Sequence, residues 1–424
     1  MTEMTFSSRS VQAAGQPVSE LMAEALAHPE LISLAAGFVD QETLPVEITA
    51  RAQQAAFANQ DAARASLQYS NPQGLNELRD ALLRQSCQWD DSGIPDQVSN
   101  ENVVTTPGSN QLLYMLANIL LDPGDIIICG SPTYFIFIGI VKNVGGETYG
   151  VAIDQHGMIP ESLDDALSML KKRGDLARVK AIYLVPYFDN PAGSTLTKER
   201  AGEIHEIANR YSEHNKIYVV TDEAYRLLDF NQTAQPSLWA GDRNLNHTIV
   251  VGTFSKSYSP GIRVGWGILP PELITPINDV KGNIDFGSPN INQYIMYEVL
   301  RNGWLQEHVS KLCDHYQQKQ NAMLDALDEH MSTIDHCSWW NPGGGMYVWL
   351  TLPEIIDSAF DKPLYQATKQ AGAMYVPGHY CFPKQGEPVQ HNTIRLSFGQ
   401  QTPAKIAEGV KCLATAVNSV LSIA

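Results

Sequence analysis

The sequence predicts an α/β protein with a mostly parallel sheet, joined to a smaller α+β domain towards the C-terminal end. Through the middle of the 424 residues, continuous apolar runs alternate with stretches of helical periodicity, as in a parallel sheet covered on both faces. From about Asn292 the pattern changes to long helices with polar faces. The chain is 44% hydrophobic and 18% charged, which is the composition of an ordinary globular protein.

Five apolar runs in the middle region are predicted to be strands of this sheet: residues 103–106, 126–129, 181–185, 217–221 and 248–252. Two stretches between them have apolar residues at helical spacing: residues 112–121 and 199–214. In the C-terminal part we predict a helix over 308–330, a glycine turn that enters a strand, a strand over 394–398 and a helix over 402–420. Ligands bind beyond the carboxyl ends of parallel strands, so the residues that follow these strands are the candidates for a site.

The charge and the cysteines exclude several classes of partner. A net charge of -17 argues against nucleic acid or an anionic membrane as the main partner. None of the six cysteines forms a C-x-x-C pair, which argues against a metal or redox framework and favours reduced thiols. Residues 1–16 lack the apolar core of a signal peptide, and the longest apolar run, 134–141, is far shorter than the roughly 20 residues that span a bilayer. We therefore expect a cytoplasmic protein without a metal.

Lys256 follows the last of the five strands and lies between two serines. A lone lysine is usually a solvated surface charge, but lysine is also the side chain that condenses with an aldehyde. The hydroxyls of Thr253 and Ser255, together with the guanidinium of Arg263, suit a phosphate dianion. An aldehyde and a phosphate on one small molecule indicate pyridoxal 5'-phosphate as the cofactor.

Residues after two neighbouring strands would hold the ring of this cofactor. Asp222 would keep the pyridine nitrogen protonated so that the ring withdraws electrons, although aspartate is also a common helix N-cap. Tyr225 and Asn190 would hydrogen-bond the phenolate oxygen, although an asparagine before proline also starts turns. Once the substrate displaces it, the amine of Lys256 could carry a proton between the substrate Cα and the cofactor.

Further candidates would bind the phosphate and the substrate. Ser109 and Asn110 begin a helix, where free N–H groups and the helix dipole attract anions. Tyr134 would stack on the pyridine ring, unless it belongs to the core. Arg395 lies in an otherwise apolar strand and would pair with a substrate carboxylate or with an internal one. Gly37 would let the chain approach the substrate closely.

Taken together, these residues resemble the aspartate aminotransferase superfamily, class I/II, of fold type I pyridoxal-phosphate enzymes. The resemblance covers nearly the whole chain, and its motifs occur in the family's order at residues 32–37, 67–70, 190–193, 222–225 and around Lys256. Within the family the chain is most similar to the 2-aminoadipate and kynurenine aminotransferases. The segment 67–79, with Gly74 inside it, and the segment 377–382 carry this closer similarity.

The resemblance implies a three-layer large domain with a mostly parallel seven-stranded sheet at residues 48–299. Residues 1–47 and 300–424 would form the small α+β domain, which is thus built from both chain ends. The family is also expected to form homodimers with shared active sites, in which Tyr69 reaches the phosphate of the neighbouring subunit. Two departures stand out. Asn110 stands where the family usually has glutamine or another polar residue, so its contact is expected to differ. Residues 38–41 replace a Gly-x-Pro-like segment beside the substrate, so side-chain specificity is expected to differ.

We therefore expect a pyridoxal-phosphate-dependent aminotransferase that works in two half-reactions through an aldimine at Lys256. An L-amino acid would give up its nitrogen, and a 2-oxo acid, expected to be 2-oxoglutarate, would take it. Two alternatives stay open: a β-lyase or decarboxylase on the same scaffold, and a ligand-sensing regulator without activity. A regulator would need a basic DNA-binding module before the fold, whereas this chain is acidic and its family motifs begin at about residue 31. The motifs do not specify the amino donor.

Overall fold

Two main sheets organise the fold in the computed structural model, which describes residues 6–13, 24, 27–232 and 235–423. The strands are β1 (Ile32–Ser33), β2 (Val103–Thr106), β3 (Ile126–Ser131), β4 (Glu147–Asp154), β5 (Gly157–Met158), β6 (Val179–Leu184), β7 (Tyr218–Asp222), β8 (Thr248–Thr253), β9 (Gly265–Ile268), β10 (Ser338–Trp339), β11 (Tyr347–Thr351), β12 (Ala373–Met374), β13 (Val376–Pro377), β14 (Gln385–Gly386) and β15 (Thr393–Ser397).

The large sheet has nine strands among the described residues, in the order β14-β4-β3-β6-β7-β8-β9-β2, with β5 paired to β4 beside this path. Neighbours from β14 to β8 run parallel, whereas β9 is antiparallel to both β8 and β2. The prediction of a mostly parallel sheet is confirmed. Seven of its strands have four or more residues, the number that the resemblance implies, and the short strands β5 and β14 bring the total among the described residues to nine.

Helices cover both faces of this sheet and pack around the smaller one. They are α1 (Ser8–Ala13), α2 (Val46–Phe57), α3 (Gln60–Ser66), α4 (Asn76–Trp89), α5 (Ser109–Leu120), α6 (Phe135–Asn143), α7 (Pro160–Arg173), α8 (Lys198–Tyr211), α9 (Pro271–Ile284), α10 (Asn290–Arg301), α11 (Trp304–Met331), α12 (Pro363–Ala371) and α13 (Pro403–Leu421). Within the part of the chain that the structure describes, no helix combines the length and the apolar character needed to cross a membrane.

Alternation along the buried strands explains the three layers. Ile127 packs with α5, α6 and α9 on one face, whereas Ile126 and Ile128 pack with α7 and α8 on the other. Successive side chains of a strand point to opposite faces, so a strand that is apolar throughout needs helices on both sides.

The C-terminal region contains an antiparallel sheet in the order β10-β11-β15-β13, which packs with α11 and α13. Strand β1, near the start of the described residues, pairs in parallel with β12, so segments from both ends of the chain lie together here. The boundaries at residues 47 and 299 stay a prediction. Residues 1–5, 14–23 and 25–26 of the predicted N-terminal segment lie outside the described residues.

The apolar runs left out four strands of the large sheet, β4, β5, β9 and β14, and their ends differ by one or two residues from those of β3, β6, β7 and β8. Strand β4 contains Gly150 and several polar residues, and β9 has the sequence Gly-Trp-Gly-Ile, so neither forms a continuous apolar run. Asp222 closes β7 instead of following it, because the pairing of β7 with β8 extends to this residue.

Candidate active site

A cavity of about 340 Å³ lies at the carboxyl ends of β6, β7 and β8, against the segment 33–38 and strands β11 and β15. Its wall brings together every predicted site residue except Tyr69: Gly37, Ser109, Asn110, Tyr134, Asn190, Asp222, Tyr225, Thr253, Ser255, Lys256, Arg263 and Arg395. The structure therefore places these side chains in one site, and their individual roles stay predictions.

Lys256 lines this cavity from the segment that follows β8, three residues after the strand ends at Thr253. Its Nζ donates a hydrogen bond to the backbone oxygen of Gly37 at 2.7 Å, a contact between residues 219 positions apart. Gly37 is a glycine for reasons of space, because a Cβ atom there would lie 2.5 Å from the hydroxyl oxygen of Tyr347. The lysine amine is thus held at the cavity wall by a backbone carbonyl group.

Asp222 presents a buried carboxylate to the cavity. Its Oδ2 accepts a hydrogen bond from the Tyr183 hydroxyl at 3.0 Å, and its Oδ1 accepts one from the backbone N–H of Ala224 at 3.2 Å. Burial raises the pKa of Asp222 to about 6, although these two hydrogen bonds act against the rise. No cation among residues 6–13, 24, 27–232 and 235–423 pairs with Asp222, so the site would favour a ligand with a cationic group at this position.

Groups that favour an anion converge at another side of the cavity. Helix α5 begins at Ser109, and Gly108 before it has a positive φ of 97°. A Cβ atom at Gly108 would lie 2.3 Å from Nη2 of Arg263, so glycine is required for the guanidinium to approach. The hydroxyl oxygens of Thr253 and Ser255 are 2.9 Å apart. Hydroxyls, helix N–H groups and a guanidinium together would hold a phosphate.

Two pairs of polar side chains lie between these groups. The amide nitrogen of Asn190 donates to the Tyr225 hydroxyl at 3.5 Å, and the Tyr134 hydroxyl donates to Oδ1 of Asn110 at 3.5 Å. Burial raises the pKa of both tyrosines, so their hydroxyls are neutral donors at physiological pH. Tyr134 lines the cavity, and it also packs beside the core of the large sheet.

Arg395 on β15 is only 4% exposed. Its Nη1 donates to Oδ1 of Asn190 at 3.0 Å, and its Nη2 donates to the backbone oxygen of Ala35 at 2.8 Å. The guanidinium lies between the rings of Phe135 and Tyr347, with its Cζ 5.5 and 4.5 Å from their centroids. Its Nε has no partner, and no carboxylate of the described part of the chain forms a salt bridge with it. Among the described residues, an internal salt bridge of Arg395 is therefore not observed.

Tyr69 lies outside the cavity of its own chain. It is 79% exposed, and its ring meets the ring of Phe286 edge-on with the centroids 5.4 Å apart. Leu67, Ile284 and Phe286 are also exposed. The predicted contact of Tyr69 with the phosphate of a neighbouring subunit stays a prediction.

Sequence reasoning gave no role to two tyrosines of this site, Tyr183 and Tyr347. Tyr183 lies in the apolar strand β6, which pairs with the strand that ends at Asp222. Its hydroxyl, a polar group in that neighbouring strand, could have indicated the hydrogen bond to Asp222. Tyr347 follows a glycine-rich turn, which indicates a strand start but not the direction of the side chain. No three His, Cys, Asp or Glu side chains of the described residues are grouped in a way that could hold a metal ion.

Comparisons with known proteins show what the chain is similar to. The family model described as Aminotransferase class I and II matches residues 29–413. Aromatic-amino-acid aminotransferase 1 of Thermococcus litoralis is 32% identical, over 98% of this chain and 94% of that protein. The 2-aminoadipate transaminase of Thermus thermophilus is 30% identical, over 93% of this chain and 92% of that protein. The crystal structure of Pyrococcus horikoshii kynurenine aminotransferase, with PMP, substrate and product, gives a TM-score of 0.89 at 30% identity, over 98% of this chain and 97% of that one.

Proposed function

Because the chain belongs to the class I and II aminotransferases, which are pyridoxal-phosphate-dependent enzymes of fold type I, we propose a role for each residue of the cavity and a class of substrate. The reaction is the transfer of an amino group from an amino acid to a 2-oxo acid. One observation supports the roles above all: Lys256, the carboxylate of Asp222 and the guanidinium of Arg395 meet in one cavity.

The residues of the cavity fit pyridoxal 5'-phosphate. The carboxylate of Asp222 is buried without a described cation, as expected of a group that faces a protonated ring nitrogen. Bound there, the cofactor supplies an electron sink for the carbanion that forms at the substrate Cα. The phosphate would be held by hydroxyls, helix N–H groups and a guanidinium, and the residues that supply them are Ser109, Asn110, Thr253, Ser255 and Arg263.

Four side chains would act on the substrate and on the cofactor ring. The amine of Lys256 would remove the proton from the substrate Cα and return it to the reacting carbons. Asn190 and Tyr225 would hydrogen-bond the ring oxygen. Arg395 uses two of its five N–H groups on Asn190 and Ala35, so its unpaired Nε–H and the remaining hydrogens would bind the substrate carboxylate.

We propose a donor with a large apolar or aromatic side chain. The cavity wall is rich in apolar groups, including Phe38, Tyr134, Phe135 and Ile136. A panel of L-amino acids scored by half-reaction rate tests this. Phe38→Ala should lower kcat/KM for aromatic donors more than for alanine, whereas the control Phe57→Ala, outside the cavity, should change neither. Equal losses for all donors would contradict the proposal.

We propose 2-oxoglutarate as the amino acceptor, with its C1 carboxylate on Arg395. The cations of the described cavity wall are Lys256, Arg263 and Arg395, and each already has a role, so the second carboxylate would be met by groups outside this wall, such as the partner subunit. A panel of 2-oxoglutarate, pyruvate and phenylpyruvate tests the assignment. A preference for either monocarboxylate would contradict it.

A homodimer with shared active sites is supported by Tyr69, which is exposed beside other apolar side chains and lies outside the cavity of its own chain. Hybrid dimers test this role. One subunit has Tyr69→Phe and the other Lys256→Ala, so one site of the hybrid combines a native Lys256 with a native Tyr69 from the partner. Activity above that of both parent dimers is expected. No gain would place the action of Tyr69 within its own subunit.

A cytoplasmic location is supported by the cysteines. All six are free in the structure, as expected of thiols in a reducing compartment. Fractionation of cells that express the chain would test the location, and recovery of the protein from a membrane or secreted fraction would contradict it.

The decisive test of the chemistry is Lys256→Ala. The variant should lose multiple-turnover amino transfer, because no other amine lies in the described cavity wall to move the proton at Cα. Lys311→Ala, which removes an exposed lysine paired with Glu307, is the matched control and should keep full activity. Retained turnover in Lys256→Ala would overturn the proposal. Product analysis separates the alternatives, because ammonia with pyruvate would indicate a β-lyase.

A further inference from the structure

Tyr347 lies between Arg395 and Tyr225 in the cavity wall. It is the first residue of β11, is 2% exposed and lines the cavity. Its ring lies 4.5 Å from Cζ of Arg395, and its hydroxyl oxygen lies 3.2 Å from that of Tyr225. One side chain therefore contacts both the proposed carboxylate-binding residue and the proposed partner of the cofactor ring oxygen.

The hydrogens of the two tyrosines can be counted. Each hydroxyl has one hydrogen and can also accept hydrogen bonds. If Tyr225 gives its hydrogen to the cofactor ring oxygen, the contact of 3.2 Å with Tyr347 requires Tyr347 to be the donor. The hydroxyl of Tyr347 makes no other hydrogen bond within the described residues, and the backbone of Gly37 closes the space beside it.

The charges around Tyr347 favour the same direction. Although burial acts to raise it, the pKa of Tyr347 is lowered by the nearby cations Arg395 and Lys256 and by the contact with Tyr225. The pKa of Tyr225 is raised by burial and by Tyr347. The thiol of Cys381 also faces Tyr347, and the pKa of that thiol is raised by burial, so it adds no charge near neutral pH. The positive charges of Arg395 and Lys256 favour the Tyr347 hydroxyl as the donor, which is the direction that the hydrogen count requires.

We propose that Tyr347 is a positioning residue for the transamination reaction: its hydroxyl donates to Tyr225 and directs the single Tyr225 hydrogen to the cofactor, while its ring supports Arg395. The proposal rests on the proposed roles of Tyr225 and Arg395. A hydroxyl that accepts a hydrogen bond becomes a stronger donor, so Tyr347 strengthens the bond that Tyr225 makes to the ring oxygen. Asn190 also donates to the Tyr225 hydroxyl, but its amide nitrogen lies 3.5 Å away. The Tyr347 hydroxyl is closer, at 3.2 Å, so it is the main donor to Tyr225.

The test is the pKa of the enzyme-bound cofactor chromophore, measured by absorbance between pH 5 and 10 on the holoenzyme. A hydrogen bond to the ring oxygen withdraws negative charge from it and so lowers this pKa. Tyr347→Phe keeps the ring and loses only the hydroxyl, and it should raise the pKa by on the order of 0.5. Tyr225→Phe should raise it more, and the double variant should match Tyr225→Phe alone, because Tyr347 acts through Tyr225.

Further variants separate this role from general packing. Tyr375→Phe removes a hydroxyl that donates to the Ser358 backbone at 3.0 Å, outside the cavity, and should leave the chromophore pKa unchanged. Tyr347→Leu also removes the ring, so it should raise KM for the amino acid several-fold above that of Tyr347→Phe. A wild-type chromophore pKa in an active Tyr347→Phe enzyme, or full additivity in the double variant, would overturn the inference. Retained turnover in Lys256→Ala would instead overturn the proposed function.

Discussion

Asp222 is expected to destabilise the cofactor-free protein above pH 6 and to stabilise the protein that holds the cofactor. Burial raises the pKa of its carboxyl to about 6, from an ordinary value of 3.8. That difference corresponds to about 3 kcal/mol. Because the folded state has the higher pKa, the penalty is absent below about pH 4, grows between pH 4 and 6, and is fully present above pH 6.

Asp222→Asn removes the ionisable group at nearly constant shape. The amide keeps one of the two oxygens that accept from Tyr183 and Ala224, and loss of the other acceptor costs about 1–2 kcal/mol. The cofactor-free variant should therefore be more stable than the native protein by about 1–2 kcal/mol at pH 8 and less stable by a similar amount at pH 4. With the cofactor bound the order at pH 8 should reverse, because an amide cannot neutralise a protonated ring nitrogen.

Denaturant unfolding of both proteins without cofactor, at pH 4, 5, 6 and 8, measures this difference. Asp242→Asn is the matched control, and its effect on stability at pH 8 should have the opposite sign. Although burial acts to raise it, the pKa of Asp242 is lowered by hydrogen bonds from the backbone N–H groups of residues 246–248. That variant should lose nearly the same stability at pH 5, 6 and 8, because the contribution of Asp242 is lost only as the pH falls below about 4. A stability difference for Asp222→Asn that does not change between pH 4 and 8 would refute the reasoning.

Three further predictions concern Arg395 and Gly37 in the cavity wall and Asp40 in the segment that follows Gly37. Arg395→Gln should lower kcat/KM for amino acids by about 10²- to 10⁴-fold, because two charge-assisted hydrogen bonds to the carboxylate are lost. It should not lower kcat/KM for the corresponding amines, and equal losses for both would argue against the carboxylate contact. Gly37→Ala should lower kcat/KM by about tenfold or more, since its Cβ would lie 2.5 Å from the Tyr347 hydroxyl, whereas Gly202→Ala, with open space around it, should be silent. Asp40→Asn should lower the free energy of unfolding by about 3–5 kcal/mol, because it leaves the buried ammonium of Lys319 without its carboxylate. Asp80→Asn, in an exposed pair with Arg84, should cost at most about 1 kcal/mol, and a similar cost for both variants would contradict the expectation.

The large sheet and most of the site could be predicted because they depend on local patterns. Strands β3, β6, β7 and β8 are mostly apolar, and Asn190, Asp222 and Lys256 lie at or shortly after the carboxyl ends of β6, β7 and β8. Once the strands are parallel and adjacent, Asp222 and Lys256 must lie at the same edge. Only pattern and topology are needed for that step, and the structure adds the distances.

The contacts that the sequence could not supply join residues far apart in the chain. The Arg395 guanidinium reaches the Ala35 carbonyl across 360 positions, and the Asp40 carboxylate meets Lys319 across 279. No periodicity connects such residues, because their approach depends on how β1, β15 and α11 pack together. Tyr347 was missed for the same reason: its direction is set by the pairing of β11 with β15, not by its own neighbours in sequence.

The segment 38–41 differs from the family pattern, and its contacts show how it is held beside the cavity. The carboxylate of Asp40 pairs with Lys319 and with His315, and its backbone N–H donates to the Tyr316 hydroxyl at 3.0 Å. All three partners lie on helix α11, which therefore fixes the position of the backbone at Asp40. Phe38, two residues earlier, lines the cavity and is 46% exposed. The groups proposed to act at the substrate Cα come from the strand ends of the large sheet and from β15. Changes at Phe38 should therefore alter which side chain the enzyme accepts without removing the groups that perform the transfer.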